Sequence, residues 1–281
     1  MRLANKAAEI FIPNGTGEHT ALRQTTDLCI AAHQDDIEIM AYGAIANCYG
    51  RADRHFTGVV VTDGGGSPRS GVYANYSDDD MKLIRAGEQK TAAIIGRYSA
   101  QLLLAYTSSE VKDPTNRTLI EEVKEIILST SPDVLYTHNL ADKHDTHVAV
   151  VMHVIRALRE LPVRKRPAKV ISMEVWRSLD WLSDEDKVVQ DTSLYPNIAA
   201  SIVGVFDSQV SGGKHYDTAT LGRRLANATF FASDSVDDLK SANFGLDITE
   251  LVNSNATPSE FISGYINKFK DEVEKRIAAF S

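Results

Sequence analysis

Short apolar strand patterns alternate with amphipathic helix patterns along this chain, and this alternation constrains the fold more than any other feature. Runs rich in Val, Ile and Leu and bounded by polar residues predict buried strands. They lie at residues 27–33, 55–62, 100–106, 132–139 and 169–176. The segments between them place apolar residues three and four apart, which indicates helices. Strands separated by helices favour a Rossmann-like three-layer α/β sandwich, with a mostly parallel sheet covered by helices on both faces.

The chain length fits one large α/β domain. Its 281 residues contain no repeat, low-complexity segment or linker-like stretch. We expect a single domain over 1–281, with a core over about 26–178 and a C-terminal elaboration over about 179–281. That elaboration mixes strand and helix patterns and ends in an amphipathic helix near 260–279. We expect these additions to wall the functional pocket.

Charge and composition exclude several classes of protein. The formal net charge of −8 argues against a nucleic-acid or anionic-membrane binder. No apolar run approaches the roughly 20 residues that a spanning helix needs, and the first residues lack the apolar centre of a signal peptide. Cys29 and Cys48 form neither a disulfide framework nor a metal-binding spacing. These features predict a soluble, cytoplasmic protein that acts on a small molecule, and they leave homo-oligomerisation open.

Two polar clusters follow predicted strands. His33, Asp35 and Asp36 come after the first strand, and His144 and His147 come after the fourth. The two later histidines are three residues apart and share one helix face. Aspartates are common at helix starts, so either cluster alone is equally well explained as ordinary helix-start residues. Because ligands bind at the carboxyl ends of strands in such sheets, two clusters at that edge favour a functional site.

The residue types of these clusters suit metal-assisted chemistry. His33, Asp36 and His147 match the ligands of a catalytic zinc site with an open position for water. The same set matches the facial triad of non-haem iron(II) enzymes. Asp35 would lie beside the metal without binding it, where a carboxylate can act as a general base. His144 would then be free to stabilise an oxyanion or to protonate a leaving amine.

The motifs also resemble a known family. "AAHQDDIEI" and "HDTH" resemble the paired signatures of the PIG-L/LmbE family of zinc-dependent N-deacetylases, and "VVVTDGGGS" and "IRAGEQKTAAIIG" match its intervening landmarks in order. The resemblance covers about residues 26–160, with weaker similarity at 206–209 and 222–230. It implies that the metal ligands are His33, Asp36 and His147, and that Asp35 is the base. It also implies that His144 is an electrostatic helper or acid and that Arg85 helps to hold the substrate.

Several positions depart from the family pattern. Gln34 replaces the usual proline and Ile37 a common glutamate, and neither is a ligand. Asp145 and Thr146 stand where the family has Pro-Asp between the histidines. The resemblance implies that an aspartate at this place orients the first histidine, so either Asp142 or Asp145 takes this part or His144 titrates differently. We expect Asp142 to do so, because Asp145 follows His144 directly and should point to another face of the turn.

We therefore expect a metal-dependent hydrolase that removes an N-acyl group, in particular N-acetyl, from an amino-sugar-like substrate. Its cofactor would be one divalent metal, zinc, with iron(II) as the alternative. The rival interpretations are a non-haem iron(II) oxygenase and a non-catalytic protein that uses its metal to bind a ligand.

Several aromatic and basic side chains each fit two roles. Trp176, Trp181 and Tyr195 could stack on a sugar, although core packing is the more usual role of aromatic residues. Arg223 and Arg224 are candidates for contact with an anionic substrate group or with a neighbouring subunit.

Overall fold

The computed structural model describes residues 1–281 and contains one eight-stranded sheet of order β1-β4-β3-β2-β5-β6-β8-β7. The strands are Glu9–Phe11 (β1), Asp27–Ala31 (β2), Phe56–Thr62 (β3), Ala100–Tyr106 (β4), Val134–His138 (β5), Lys169–Met173 (β6), Lys187–Asp191 (β7) and Ala242–Asp247 (β8). The five central strands, β4 to β6 in sheet order, pair in parallel. The outer strands β1, β8 and β7 each pair antiparallel with the strand beside them.

Helices cover both faces of this sheet. They are Glu18–Arg23 (α1), Asp36–Met40 (α2), Tyr42–Cys48 (α3), Asp78–Ile95 (α4), Ser108–Lys112 (α5), Arg117–Thr130 (α6), Asp145–Glu160 (α7), Pro196–Gly204 (α8), Asp207–Gln209 (α9), Tyr216–Phe230 (α10), Thr249–Asn253 (α11) and Pro258–Ala279 (α12). No helix combines the length and the apolar character needed to cross a membrane.

Alternate residues of β2 show why two helical layers form. Leu28 and Ile30 belong to an apolar cluster shared with α6 and α7. Cys29 and Ala31 belong to a second cluster shared with α2, α3 and α8. Because successive strand residues point to opposite faces, a fully apolar strand needs cover on both sides. The predicted three-layer sandwich is confirmed.

The differences from the predicted elements are local. The helix expected after β2 is divided at Ala41 into α2 and α3. Helix α4 begins at a capping box, in which Ser77 and Asp80 make both reciprocal hydrogen bonds. Strand β1 was not predicted, and β7 and β8 were expected only as unspecified strands. The C-terminal residues therefore extend the sheet as well as wall the pocket.

A buried polar network joins α2 to α4 and to the chain before β4. The Oε1 atom of Glu38 accepts hydrogen bonds from Tyr98 Oη (2.6 Å) and Gln89 Nε2 (2.8 Å). Its Oε2 atom has no partner. Glu38 is fully buried, and this burial raises its pKa to about 8 although both hydrogen bonds oppose the rise. Folding therefore favours the protonated carboxyl group.

We expect Glu38→Gln to stabilise the metal-free protein increasingly as the pH rises from about 4.5 to 8. A raised folded-state pKa means that folding binds a proton in this window, so the stability of the parent protein falls with rising pH. The amide mimics the protonated carboxyl, and each pKa unit is worth about 1.4 kcal/mol, so the variant should gain more than about 1 kcal/mol by pH 8. Urea unfolding at several pH values measures the difference. Glu125→Gln, at an exposed position, is the control, and a difference that does not change with pH would contradict the assignment.

Candidate active site

A polar cavity opens at the carboxyl ends of β2, β3 and β5. Its volume is about 460 Å³, and only three of its 20 lining residues are hydrophobic. The cavity contains side chains of both predicted clusters, together with residues from the C-terminal part of the chain. It lies where a parallel sheet is expected to bind its ligand, and its lining suits a polar molecule.

Three predicted ligand atoms converge at this edge. His33 Nδ1 lies 3.1 Å from Asp36 Oδ2 and 3.1 Å from His147 Nε2. His147 Nε2 lies 3.2 Å from the same Asp36 oxygen. Atoms about 2.0–2.1 Å from a tetrahedral ion are separated by roughly 3.3 Å, so this spacing fits one metal ion. The sequence prediction that these three side chains meet agrees with the structure.

The charges of these groups also fit a cation. Burial opposes ionisation of Asp36, but His147 and His33 outweigh it and hold the pKa of this carboxyl well below its usual value. Burial opposes a charge on His147 too, yet Asp36 and the hydrogen bond to Asp142 raise its pKa to about 10. Positive charge is therefore favoured between these atoms, either as a proton or as a metal ion. The donor set of two imidazoles and one carboxylate is suited to a divalent transition metal.

Asp142 holds a metal-ligand candidate rather than the ring of His144. Its Oδ2 atom lies 3.1 Å from His147 Nδ1 and accepts the Val175 backbone N–H at 3.1 Å. Its Oδ1 atom accepts the backbone N–H of His144 at 3.3 Å. The expectation that Asp142 orients the His144 imidazole is thus wrong, because its carboxylate reaches only the backbone there. Asp145 is exposed and does not take that place.

Asp35 lies next to the converging triad but belongs to a different set of contacts. Its backbone is left-handed (φ 82°), an uncommon conformation for a residue other than glycine. Gln89 Oε1 accepts its backbone N–H at 3.2 Å. Arg85 donates to its Oδ2 from Nη1 and Nη2, both at 3.2 Å. These contacts hold the carboxylate beside Asp36 and keep it separate from the ligand atoms.

The pKa of Asp35 reflects this environment. Burial raises it, the Arg85 guanidinium lowers it, and the neighbouring charge of Asp36 raises it further, so that it lies at about 7. Arg85 itself is buried and pairs with Asp35, although it also lines the cavity. Its contact with Asp35 was not anticipated from the sequence.

His144 lines the cavity close to the triad. Its ring centroid lies 4.9 Å from that of His33 and 4.6 Å from that of His147. Burial, reinforced by the nearby histidines, lowers the pKa of His144, and its Nδ1 atom has no hydrogen-bond partner. The side chain is also stacked against Trp176, with ring planes 10° apart. It is therefore placed as a neutral imidazole with a free ring nitrogen.

Three buried polar atoms of the cavity lining were missed in the sequence. Thr62 Oγ1, Thr146 Oγ1 and Gln209 Nε2 have no hydrogen-bond partner, and each residue is at most 2% exposed. All three lie within segments that carry the family resemblance: Thr62 in "VVVTDGGGS", Thr146 in "HDTH" and Gln209 in the weakly similar segment 206–209. None has a spacing to other residues that would reveal such a role. A ligand rich in hydroxyl or amide groups would satisfy these atoms.

Other candidates have different places. Trp176 lines the cavity, whereas the indole N–H of Trp181 donates to Glu174. Arg224 is buried and donates to the carbonyl of Glu38, and Arg223 donates to the carbonyl of Val175. At 1% exposure the Arg224 guanidinium cannot reach a substrate or another subunit, so the expectation of such a contact is wrong for Arg224; for the half-buried Arg223 it stays a prediction.

Another histidine, His138, lies buried beside the triad. His138 is fully buried, and its Nε2 atom accepts the backbone N–H of Ala32 at 2.8 Å. The same atom is 3.4 Å from Asp36 Oδ2. Burial lowers the pKa of His138 to about 4, so its ring is neutral. Its bond to Ala32 fixes the strand end from which His33 and Asp36 follow.

Comparison with solved structures shows where this fold occurs. The N,N′-diacetylchitobiose deacetylase of Pyrococcus horikoshii has a TM-score of 0.64 at 14% identity, over 83% of this chain and 86% of that one. A conserved protein of Thermus thermophilus gives 0.62 at 16% identity, over 79% and 94%. The 4-carboxy-2-hydroxymuconate hydratase of Pseudomonas putida gives 0.61 at 16% identity, over 83% and 100%. At such identities the likeness establishes the fold alone.

Comparison of sequences is more specific. No curated protein sequence matches the chain. Residues 28–158, however, match the family model described as PIG-L, GlcNAc-PI de-N-acetylase. This segment contains the converging triad, Asp35, Arg85, Asp142 and His144. This segment of the chain is similar to the PIG-L family.

Proposed function

We propose that this protein is a metal-dependent hydrolase that removes an N-acetyl group from an amino-sugar-like small molecule. The observation that carries this proposal is the convergence of His33, Asp36 and His147 beside a separate buried carboxylate, Asp35. The family description names a de-N-acetylase of GlcNAc-PI. One of the similar structures is a deacetylase of N,N′-diacetylchitobiose. Both support this class of reaction.

His33, Asp36 and His147 would hold one divalent metal ion, zinc in the first place and iron(II) as the alternative. When bound, the ion would supply Lewis-acid chemistry that polarises an amide carbonyl and makes water more acidic. Asp142 would fix the ring of His147 through its Nδ1 atom. A carboxylate in this position orients a ligand histidine and raises its basicity.

Asp35 is the proposed general base. Its raised pKa, about 7, suits a group that must take a proton from water near neutral pH and release it later. The two hydrogen bonds from Arg85 hold its carboxylate in one orientation. Once protonated, Asp35 can return its proton to the nitrogen of the leaving amine.

His144 is the proposed electrostatic helper. A neutral imidazole can donate one N–H hydrogen bond to the oxygen that becomes negatively charged when the amide carbon is attacked. Its lowered pKa favours this donor role over that of a charged acid. Trp176 and the unpartnered Thr and Gln atoms would bind the rest of the substrate. A flat indole beside polar groups suits one face of a sugar ring.

The alternative functions receive less support. The fold also occurs in a hydratase, so fold alone does not select a reaction. The family match and the separate Asp35 carboxylate favour hydrolysis over an iron(II) oxygenase. A protein that only bound ligands through its metal would need no base held beside the triad.

A direct assay tests the function. Metal-free protein should release amine and acetate in equal amounts from N-acetylglucosamine or N,N′-diacetylchitobiose only after zinc or iron(II) is added. Release should not require oxygen, and His33→Ala should abolish metal binding and release together, because one of three ligands is lost. Unchanged release without metal, or oxygen consumption in proportion to product, would refute this function.

Asp35→Asn separates the base from the ligands. The amide retains the size of the side chain but cannot accept the proton from water, so kcat should fall about 10²-fold or more. Metal content should stay near that of the parent protein. Because Arg85 loses a buried carboxylate partner, thermal unfolding checks that the variant is folded. Joint loss of metal and activity in folded protein would make Asp35 a ligand instead.

The matched pair Asp142→Asn and Asp145→Asn tests the support of His147. Of these two aspartates, only Asp142 contacts the imidazole of His147. Its replacement should therefore weaken metal affinity by about 10- to 100-fold. Asp145→Asn removes the same charge from an exposed position and should change affinity by less than about twofold. Competition with a chromophoric chelator measures both. Equal affinities of the two variants would contradict the proposed contact.

A further inference from the structure

The short helix that begins with Asp36 ends in a buried place where its last carbonyl groups need hydrogen-bond donors. Helix α2 has only five residues, all of them buried, and it stops at Ala41. The last four carbonyl groups of a helix have no partner within it. In α2 the carbonyl of Ile37 accepts the N–H of Ala41 at 2.8 Å. The three carbonyls that follow must find donors elsewhere, because buried backbone groups are almost always hydrogen-bonded.

Two side chains from the C-terminal part of the chain supply these donors. Arg224 of α10 donates from Nη2 to the carbonyls of Glu38 and, at 3.3 Å, Ile39. Asn243 of β8 donates from Nδ2 to the carbonyls of Ile39 (3.0 Å) and Met40 (2.7 Å). Both side chains are buried, with residue exposures of 1% and 6%. We call Arg224 and Asn243 the carbonyl clamp.

The charge of Arg224 is otherwise poorly compensated. Its Nε and Nη1 atoms have no hydrogen-bond partner, and burial lowers its pKa to about 10, so it stays charged at neutral pH. A buried cation with free donors costs free energy. The contacts that offset this cost are the α2 carbonyls, which carry partial negative charge at a helix C-terminus, and the ring of Tyr42, whose centroid lies 4.7 Å from the guanidinium carbon. Because Tyr42 begins α3, the guanidinium contacts both sides of the break at Ala41.

We infer that the carbonyl clamp positions the proposed metal ligand Asp36 and the proposed base Asp35 through α2. An isolated helix of five residues is not stable in water, so the direction of α2 depends on its contacts. The Glu38 network fixes one side of α2 against α4, and the clamp fixes its C-terminal end. Asp35 is the N-cap of α2 and Asp36 its first residue, so a tilt of the helix moves both carboxylates. A functional site tolerates displacements of only about 0.5 Å. This inference rests on the proposed function and makes the clamp a pair of positioning residues.

Zinc affinity of matched arginine variants tests the clamp without turnover. Arg224→Met keeps much of the side-chain volume but removes the donors and the charge, so zinc binding should weaken about tenfold or more, as when a group that supports a metal ligand is lost. Arg159 is the control, because its Nη2 atom also donates to two backbone carbonyls, those of Leu251 and Ala256. None of these residues lines the cavity, so Arg159→Met should change zinc affinity by less than about twofold. Competition with a chromophoric chelator measures both variants.

Two further measurements separate positioning from a general loss of stability. Urea unfolding of the metal-free proteins should show a loss for both Met variants, because each leaves backbone carbonyls without a donor. The visible absorption of bound cobalt(II), which depends on ligand geometry, should change in Arg224→Met and stay as in the parent protein in Arg159→Met. Asn243→Ala is a smaller change in the same clamp, and it decides the question if Arg224→Met does not fold. Zinc affinities within about twofold of the parent in the folded clamp variants would overturn the inference.

Turnover distinguishes this inference from the proposed function. With saturating zinc, Arg224→Met should lower kcat for N-acetylglucosamine more than it raises KM, because Asp35 moves with α2. Trp176 and Gln209, which would bind the substrate, lie outside α2. If the parent protein deacetylates nothing but the clamp variants lose zinc affinity, the clamp stands and the deacetylase function fails. If the parent protein deacetylates and the clamp variants equal Arg159→Met in zinc affinity and kcat, the function stands and the clamp fails.

Discussion

The buried carboxylate of Asp36 is the charge on which the rest of the site depends. One of its oxygens lies within 3.4 Å of ring nitrogens of His33, His147 and His138. Such a group is stable away from water only if positive charge or hydrogen-bond donors compensate it. Two strand ends must therefore stay in register, β2 with β5, and their parallel pairing maintains this. The sheet thus holds the Asp36 carboxylate beside the histidines that compensate its charge.

The pKa values of the adjacent aspartates Asp35 and Asp36 are shifted in opposite directions. The pKa of Asp36 is held low by the histidines around it, whereas that of Asp35 is raised by burial and opposed only in part by Arg85. The left-handed backbone at Asp35 directs the two side chains into different surroundings. Neighbouring carboxylates with separated pKa values are the usual arrangement for distinct chemical roles. One suits a permanent ligand, and the other a group that gains and loses a proton.

Sequence reasoning succeeded where periodicity and strand ends determine the result. The central strands, α4, α7 and the meeting of His33 with His147 follow from apolar patterns and from the geometry of parallel sheets. Sequence reasoning failed where the hydrogen-bond partner of a residue depends on the direction of its side chain. Nothing in the spacing shows that the Asp142 carboxylate turns to His147 instead of His144. The three-residue strand β1 is too short for a pattern, and Thr62 is recognisable as a lining residue only once the chain folds around the cavity.

Some of the residues that surround the substrate come from a later stretch of chain than the groups that react. All proposed reacting groups lie within residues 28–158, the segment that matches the family. Trp176, Gln209 and Lys214 lie beyond it and reach the cavity through the C-terminal elements. Hydrogen bonds from Tyr73 to Asp207 and from Ser70 to the carbonyl of Gly212 fasten this later segment to the loop after β3. Because the later residues that line the cavity are not members of the triad, changes at these positions can alter which molecule enters without replacing the groups that react with it.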